Sequence, residues 1–554
     1  MIGIGTTIMR NTTRVRYPAV LRTFWQRVKA DGGTMVDYNA AIKLYRDSLS
    51  YSPTLALSSS AFKAGKLYSV IPSDGSGDFG VSRATASVQL NETTLEAVAA
   101  NVPVIDTVAG VKGIRVNPQA SNLVSRYLGF AHSAWTKTNT RVEGDAATAE
   151  SELVLNGGFD NSDSWVIRSG WSIADGKANA TNTSNILEQS KTLTVNKLYK
   201  VQFDLLRESG SFTFSLNGHT ISPMITQSGS YIIYYYLISN INNIIYGIAS
   251  SFTGSVDNVS VKEAQAFADP AGGLNAYKLI AAANNGTIIL ATPTTVVSGT
   301  TYTNLIYAKR VTGTGNVSII DVNNADRLVT VTDDWTPLID TRAATSTSGQ
   351  IGIKLATAGD EILIYNANQA AGVHDRAVTI NASLDGTLVT RNDDNPYKTN
   401  IAALIGQTEG TVFIECDIQQ LGLIRMFWTL QLLHWINESI RIETTLSNLL
   451  RINIRSGGNI IIDISSTSVI SNGINKIAVA YKTGTNQLVV YRNGVKFIET
   501  TVNTLPTMNG VMLGNRSNDL GVLVSEFPIN ANINDFWLTN TRLSDTELQQ
   551  LTTL

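Results

Sequence analysis

Glu415, Cys416 and Asp417 come nearest to acid–base chemistry in this 554-residue chain. Side chains two apart on a strand face the same way. Glu415 and Asp417 would therefore present two carboxylates to one cleft, one able to attack and the other to donate a proton. The thiol between them is the chain's one cysteine, and it follows the apolar run Val412-Phe413-Ile414. A single cysteine excludes an internal disulfide framework and a Cys-based zinc site, so Cys416 reads as a small buried hydrophobe. The four histidines, His132, His219, His374 and His434, form no metal-spacing pair and stand beside no Ser/Asp arrangement. No Gly-rich phosphate loop follows a strand.

Binding asks for less. A sugar ring stacks on an exposed aromatic face while Asn, Asp or Arg at the rim fix its hydroxyls. The candidates are Trp165, Trp171, Trp335 and Trp537, with Tyr234 and Tyr236 alternating around Tyr235. Aromatic residues in jelly rolls are more often core than platform, which is the competing reading for each of them.

The elements that must position these residues are strands. Gly, Thr, Asn and Ser are abundant, Pro is scarce, and β-branched residues dominate from about residue 150 onward, the profile of many short strands joined by turns. The length suits three or four domains. Lys and Arg number 42 against 44 Asp and Glu, a net charge of −2. No basic stripe is present to neutralise phosphates, so nucleic acid is not an expected partner. The apolar stretches 231–238 and 421–436 are too short or too polar to span a bilayer and read as buried strands, so no membrane insertion is expected. The stretch MIGIGTTIMRNTTRVRYP lacks the apolar core of a signal peptide.

Helical signals are confined to the two ends. Pro18 suits a first turn, Val20, Leu21, Phe24, Trp25 and Val28 share one face, and Gly32-Gly33 stops the helix. Asp37 caps a second helix whose expected apolar stripe is Tyr38, Ile42, Tyr45 and Leu49. Near the end, Ser544 and Glu547 spell a capping box, with Leu543 and Leu548 as its hydrophobic staple.

Four pieces in order carry a family resemblance: FGVSRATASVQLN (79–91), NVPVID (101–106), VNPQASNLV (116–124) and SAWTKTN (133–139). Phe79, Ser82, Arg83, Ala84 and Ala86, then Asn101, Pro103 and Asp106, then Pro118, Asn122 and Leu123, fit a pattern that resembles the segment tailed-phage tail, fibre and appendage proteins carry before their sugar-binding β domains. Val104 stands where that pattern has Arg, and Asn117 where it has Glu. The stretch 151–264 resembles a jelly-roll carbohydrate-binding module: Asn156, Gly158, Phe159, Asp160, Trp165 and Trp171 fit its opening, and Asp257, Val259 and Val261 its last strand. The resemblance implies a candidate structural calcium held by Asp160 and Asp257, with Asp160 in place of the usual Glu; no cofactor is certain. The segments flanking this module read as one interrupted domain, an insertion at a loop tip. The last part resembles concanavalin-like or laminin-G-like sandwiches. Some of these are glucanases with carboxylates in an E-x-D-x-x-E pattern, but here the third position holds Gln419 or Gln420, neither able to act as acid or base.

The expected architecture is mainly β, with tandem jelly-roll and β-sandwich domains and a small helical N-terminal attachment region. Its parts are a helical attachment and oligomerisation region at 1–75, an extended connector at 76–121, a discontinuous jelly roll at 122–149 and 266–370, the inserted module at 151–264, and a terminal sandwich at 375–554. The resemblance implies a structural virion protein, not an enzyme: a fibre, spike or head/tail decoration made without a signal peptide. Its expected partners are host cell-surface glycan, other virion proteins and sister chains in a homotrimer. A glycoside hydrolase built on the last sandwich and a purely architectural virion protein are the alternatives.

Overall fold

In the computed structural model, the described residues are 18–144, 151–432, 435–515 and 528–554. The expectations for the first seventeen residues, for the 145–150 junction ahead of the insert and for His434 lie outside them. Strands hold 53% of the chain and helices 7%, so the protein is mainly β. Contacts divide it into two compact units, one of Met1–Glu92, Glu96–Gln119 and Arg391–Leu554, the other of Thr93–Leu95 and Ala120–Thr390.

The first unit is a β-sandwich with helices on one outer face. Its central strand, Glu409–Ile418, pairs antiparallel with Gly473–Lys482 on one side and Ala531–Thr539 on the other. Alternation divides that strand between two cores. Val412, Ile414, Cys416 and Ile418 point between the sheets, packed with Trp428, Ile452 and Ile477. Phe413 points outward, against the helices.

Three helices cover that outer face. Helix α1 (Ala19–Ala30) buries Leu21, Phe24 and Val28. Helix α2 (Tyr38–Leu49) is capped by Asp37, whose Oδ1 accepts the Asn39 N–H at 2.7 Å. Helix α3 (Asp545–Thr552) has the full capping box of Ser544 and Glu547, with Leu543 and Leu548 buried beside it. These residues meet Phe413, Ala478, Val489, Tyr491 and Trp537 in a single apolar cluster. In α2 the buried stripe is Ala41, Leu44 and Ser48, while Tyr38 and Leu49 are exposed, so the expected stripe is displaced around the helix. The small side chain of Ala41 lets the helix approach the sheet closely.

Two expectations for the first 121 residues change as a result. The apolar faces of α1 and α2 are covered by the chain's own sheet and need no sister chain to bury them. Past the helices, Leu55–Lys63 is a strand paired with Ala531–Thr539. The stretch 76–121 is likewise no extended connector. Phe79–Ser82 pairs with Asn395–Thr399, and Val111–Val116 with Ala531–Thr539. Strand pairing satisfies backbone groups that a bare connector crossing an apolar surface would leave unbonded.

The second unit holds two sandwiches. In one, Trp135–Thr138 pairs with Gly286–Leu290 and Thr140–Glu143 with Leu274–Ala281, so the segments on either side of the insert share its two sheets. In the other, Lys197–Leu216 and Ile244–Ala264 run antiparallel for most of their length and bend at register shifts. Tyr199, Val201, Phe203 and Leu205 alternate into its core, with Phe212, Phe214 and Leu216 after the bend. A two-residue turn, Asn217-Gly218, joins Leu216 to His219 with both residues at positive φ (43° and 92°), the geometry Asn-Gly favours in hairpins.

Candidate functional site

Three of the aromatic candidates are core residues. Trp165 is 7% exposed; its indole N–H donates to the Asn156 carbonyl at 2.9 Å and its ring lies 4.9 Å from Phe159. Trp171 is 6% exposed and donates to the Asn185 carbonyl at 2.9 Å. Trp537, 3% exposed, has Phe413 and Tyr51 stacked at 5.3 and 5.5 Å. None of these rings offers a face to a sugar. An indole removes a large apolar area from water, and in a sandwich the inner face is where that gain is available. Tyr234 is also buried, and Tyr236 is half-buried.

Trp335 differs. It stands just before the strand Thr336–Ala343, whose partner Thr301–Thr312 brings Lys309 alongside through the Ala308–Thr336 register. Trp335 is half-buried, with its edge held by Tyr365 at 6.5 Å and 70°. It lines a cleft of about 470 Å³ with Lys309, Asp334, Asp269, Pro270 and Thr94. One wall is a rigid turn: Asp269 Oδ1 accepts the N–H groups of Ala271 and Gly273 at 2.8 and 3.0 Å, and Oδ2 accepts from Asn275 at 2.8 Å. The Leu95 N–H donates to Pro270 O at 3.1 Å and fastens the Thr93–Leu95 segment to that turn. The side chains of Lys309 and Asp334 have no ion pair or hydrogen bond among the described residues, unlike most charges of the molecule. An aromatic ring beside an unpaired ammonium, an unpaired carboxylate and a threonine hydroxyl is the inventory that sugar recognition uses. Asp334 directly precedes Trp335 in the sequence, whereas Lys309 reaches it only through cross-strand register.

The calcium expected at Asp160 and Asp257 does not fit the residues present. The opening loop lies against the last strand, where Val259 N–H donates to Gly157 O at 2.9 Å. There the Asn156 amide nitrogen donates to Asn161 O, Asn161 Oδ1 and Asp163 O at 2.8, 3.1 and 3.3 Å. A hydrogen-bond donor thus gathers the loop oxygens that a cation would need. One Asp257 oxygen accepts the Asn258 N–H at 2.7 Å. Among the described residues no group of three or more His, Cys, Asp or Glu is placed to hold a metal.

Glu415 lines a separate cleft of about 380 Å³ in the first unit. Its register partner across the sheet is Asp535, an acid the sequence reading passed over. Glu415 accepts from Asn534 at 3.2 Å and lies 3.8 Å from Lys476. Asp535 lies 3.5 Å from Lys43, and burial raises its pKa despite that cation. Among the described residues no aromatic ring lines this cleft. Cys416 is fully buried, and burial pushes its thiol pKa well above the ordinary range, which keeps it protonated and inert. His132, whose pKa burial lowers to about 4, accepts the Ala134 N–H on Nδ1, and His374 bonds the Ala371 carbonyl.

No protein-family model matches the chain, and no curated protein matches it. Several solved structures match about a quarter of it. The CBM40 module of the Ruminococcus gnavus IT-sialidase, bound to alpha2,3 sialyllactose, is 16% identical over 28% of this chain and 86% of its own, with a TM-score of 0.25. The NanB sialidase of Streptococcus pneumoniae is 17% identical over 27% of this chain and 25% of its own, with a TM-score of 0.24. The binding domain of botulinum neurotoxin serotype D/C is 17% identical over 29% of this chain and 40% of its own, also with a TM-score of 0.24.

Proposed function

We propose that this chain is a structural virion protein, a fibre, spike or head/tail decoration, that binds host-surface carbohydrate and cleaves no bond. The observation that carries the binding part is the Trp335 cleft, with its half-exposed indole and the unpaired Lys309 and Asp334. The virion part rests on the four-piece resemblance around Arg83, Asn101, Pro118 and Trp135. A single aromatic platform gives a weak site, and several copies on one particle raise its effective affinity through local concentration, which favours an oligomer, a homotrimer in this reading. A glycan array probed with the full chain and with Trp335→Ala tests the cleft: wild type retains a subset of glycans that the variant loses. Equal retention by both would move binding away from the Trp335 cleft, and retention by neither would move the function to the purely architectural alternative. Copy number and position in an intact particle test the rest.

A further inference from the structure

The second unit has another cleft, of about 360 Å³, between its two sandwiches. One wall is the pair of short strands Trp135–Thr138 and Thr140–Glu143, which contribute Lys137 and Arg141; the other is the strand Gly229–Leu237, which contributes Tyr234 and Tyr235, with Thr220 beside it. The walls approach closely at Gly144, where a Cβ atom would meet Gln265 O at 2.6 Å and the Tyr234 ring at 3.2 Å.

The charge in this cleft is one-sided. Lys137 and Arg141 line it, and among the described residues no Asp or Glu does. The Lys137 ammonium is half-buried and, among the described residues, donates only to the His132 carbonyl at 3.0 Å and has no ion pair. Burial lowers its pKa to about 8, the behaviour of a cation that lacks a counter-ion. Arg141 uses Nε on Glu143 at 2.8 Å, while the two terminal nitrogens of its guanidinium have no partner among the described residues. The rest of the lining combines the hydroxyls of Ser133, Thr140 and Thr220 with apolar side chains, of which Ile232 is 48% exposed.

We infer that this cleft binds an acidic saccharide, its carboxylate placed between Lys137 and Arg141 and its ring against the exposed Ile232. An ammonium has three donors and here uses one. A carboxylate would supply the missing acceptors and the opposite charge in a partly desolvated place, where charge-assisted hydrogen bonds are strong. The volume is at the small end of ligand pockets and suits one or two sugar rings. This site is separate from the Trp335 cleft and would accept a different class of sugar.

Ligand-observed saturation-transfer NMR on the full chain tests the inference, with D-glucuronate, N-acetylneuraminate, neutral methyl glucoside and inorganic sulfate as probes. At least one acidic sugar should give transfer, the neutral one should not, and Lys137→Met should weaken the acidic ligand by at least tenfold. Arg141→Gln, at an exposed position, should weaken it severalfold without disturbing the fold, and it carries the test if Lys137→Met does not fold. Trp335→Ala should leave this binding intact, which separates it from the other cleft. Absence of transfer from both acidic sugars would overturn the assignment. So would indifference to both cleft variants, equal binding of the neutral sugar, or displacement of the sugar by sulfate at equal concentration.

Discussion

Arg83 and Asp394 stand 311 positions apart and form a buried ion pair at 2.5 Å. The guanidinium also donates to Thr85 O at 2.8 Å and Ala99 O at 2.7 Å. The other carboxylate oxygen of Asp394 accepts from the backbone and side chain of Asn117 at 3.0 and 2.9 Å. Asn101, at a positive φ of 59°, accepts the Arg83 N–H on its side chain and donates its own N–H to Arg83 O. Arg83 and Asn101, two of the residues that carry the phage-protein resemblance, therefore help fasten the stretch 83–117 to the start of the terminal sandwich.

Removing one partner of a fully buried, multiply bonded pair leaves the other charge without compensation, at a cost of about 3–5 kcal/mol. Arg83→Met should lower the stability of the first unit by that order, and Arg83→Lys should recover only part of it, because an ammonium cannot reproduce the planar fork. Urea denaturation followed by intrinsic fluorescence measures both. A loss within about 0.5 kcal/mol, the size of an ordinary surface substitution, would count against the role assigned to this pair.

The tryptophans should separate by phenotype. Trp165→Ala and Trp171→Ala open holes in a packed core and should each cost about 3–5 kcal/mol, while the folded fraction keeps its glycan binding. Trp335→Ala should do the reverse, with a melting temperature near wild type and loss of the glycans held by the Trp335 cleft. Thermal melts run alongside array binding distinguish the two classes.

Lys137 predicts a pH effect. Its pKa is about 8 in the folded chain against the ordinary 10.5, so between those values the unfolded chain holds more protons and stability rises with pH. Tyrosines whose pKa is raised by burial, Tyr277 and Tyr307 among them, act in the opposite sense above pH 10. The readout is therefore the difference between wild type and Lys137→Met across pH 7–10.5. Wild type should gain on the variant as pH rises, and a flat difference would contradict an uncompensated buried ammonium.

Glu415 and Asp535 are the acids most worth testing for hydrolysis. Incubating wild type with acidic and neutral polysaccharides should release no reducing ends, and Glu415→Gln should change nothing. Release by wild type that Glu415→Gln abolishes would restore the hydrolase alternative.

Strand identity, turn chemistry and caps were legible locally. The alternation Tyr199, Val201, Phe203, Leu205, the Asn217-Gly218 hairpin and the Ser544–Glu547 capping box each depend on residues a few positions apart, and each is present. The expected α2 stripe differs from the buried one because the face a helix buries depends on the surface it meets, and α2 meets chiefly the strand Leu55–Lys63, whose Ala56 and Ala61 lie in the shared apolar cluster.

By itself the sequence determined a mainly β chain, its punctuation and a short list of aromatic candidates, because period-two patterning and positive-φ turns are written in neighbouring residues. Only the tertiary structure decided which aromatic stays at the surface, and which charges lack partners around it. Those depend on the stacking of sheets and on strand register, which brought Lys309 beside Trp335 and set Lys137 opposite Tyr234.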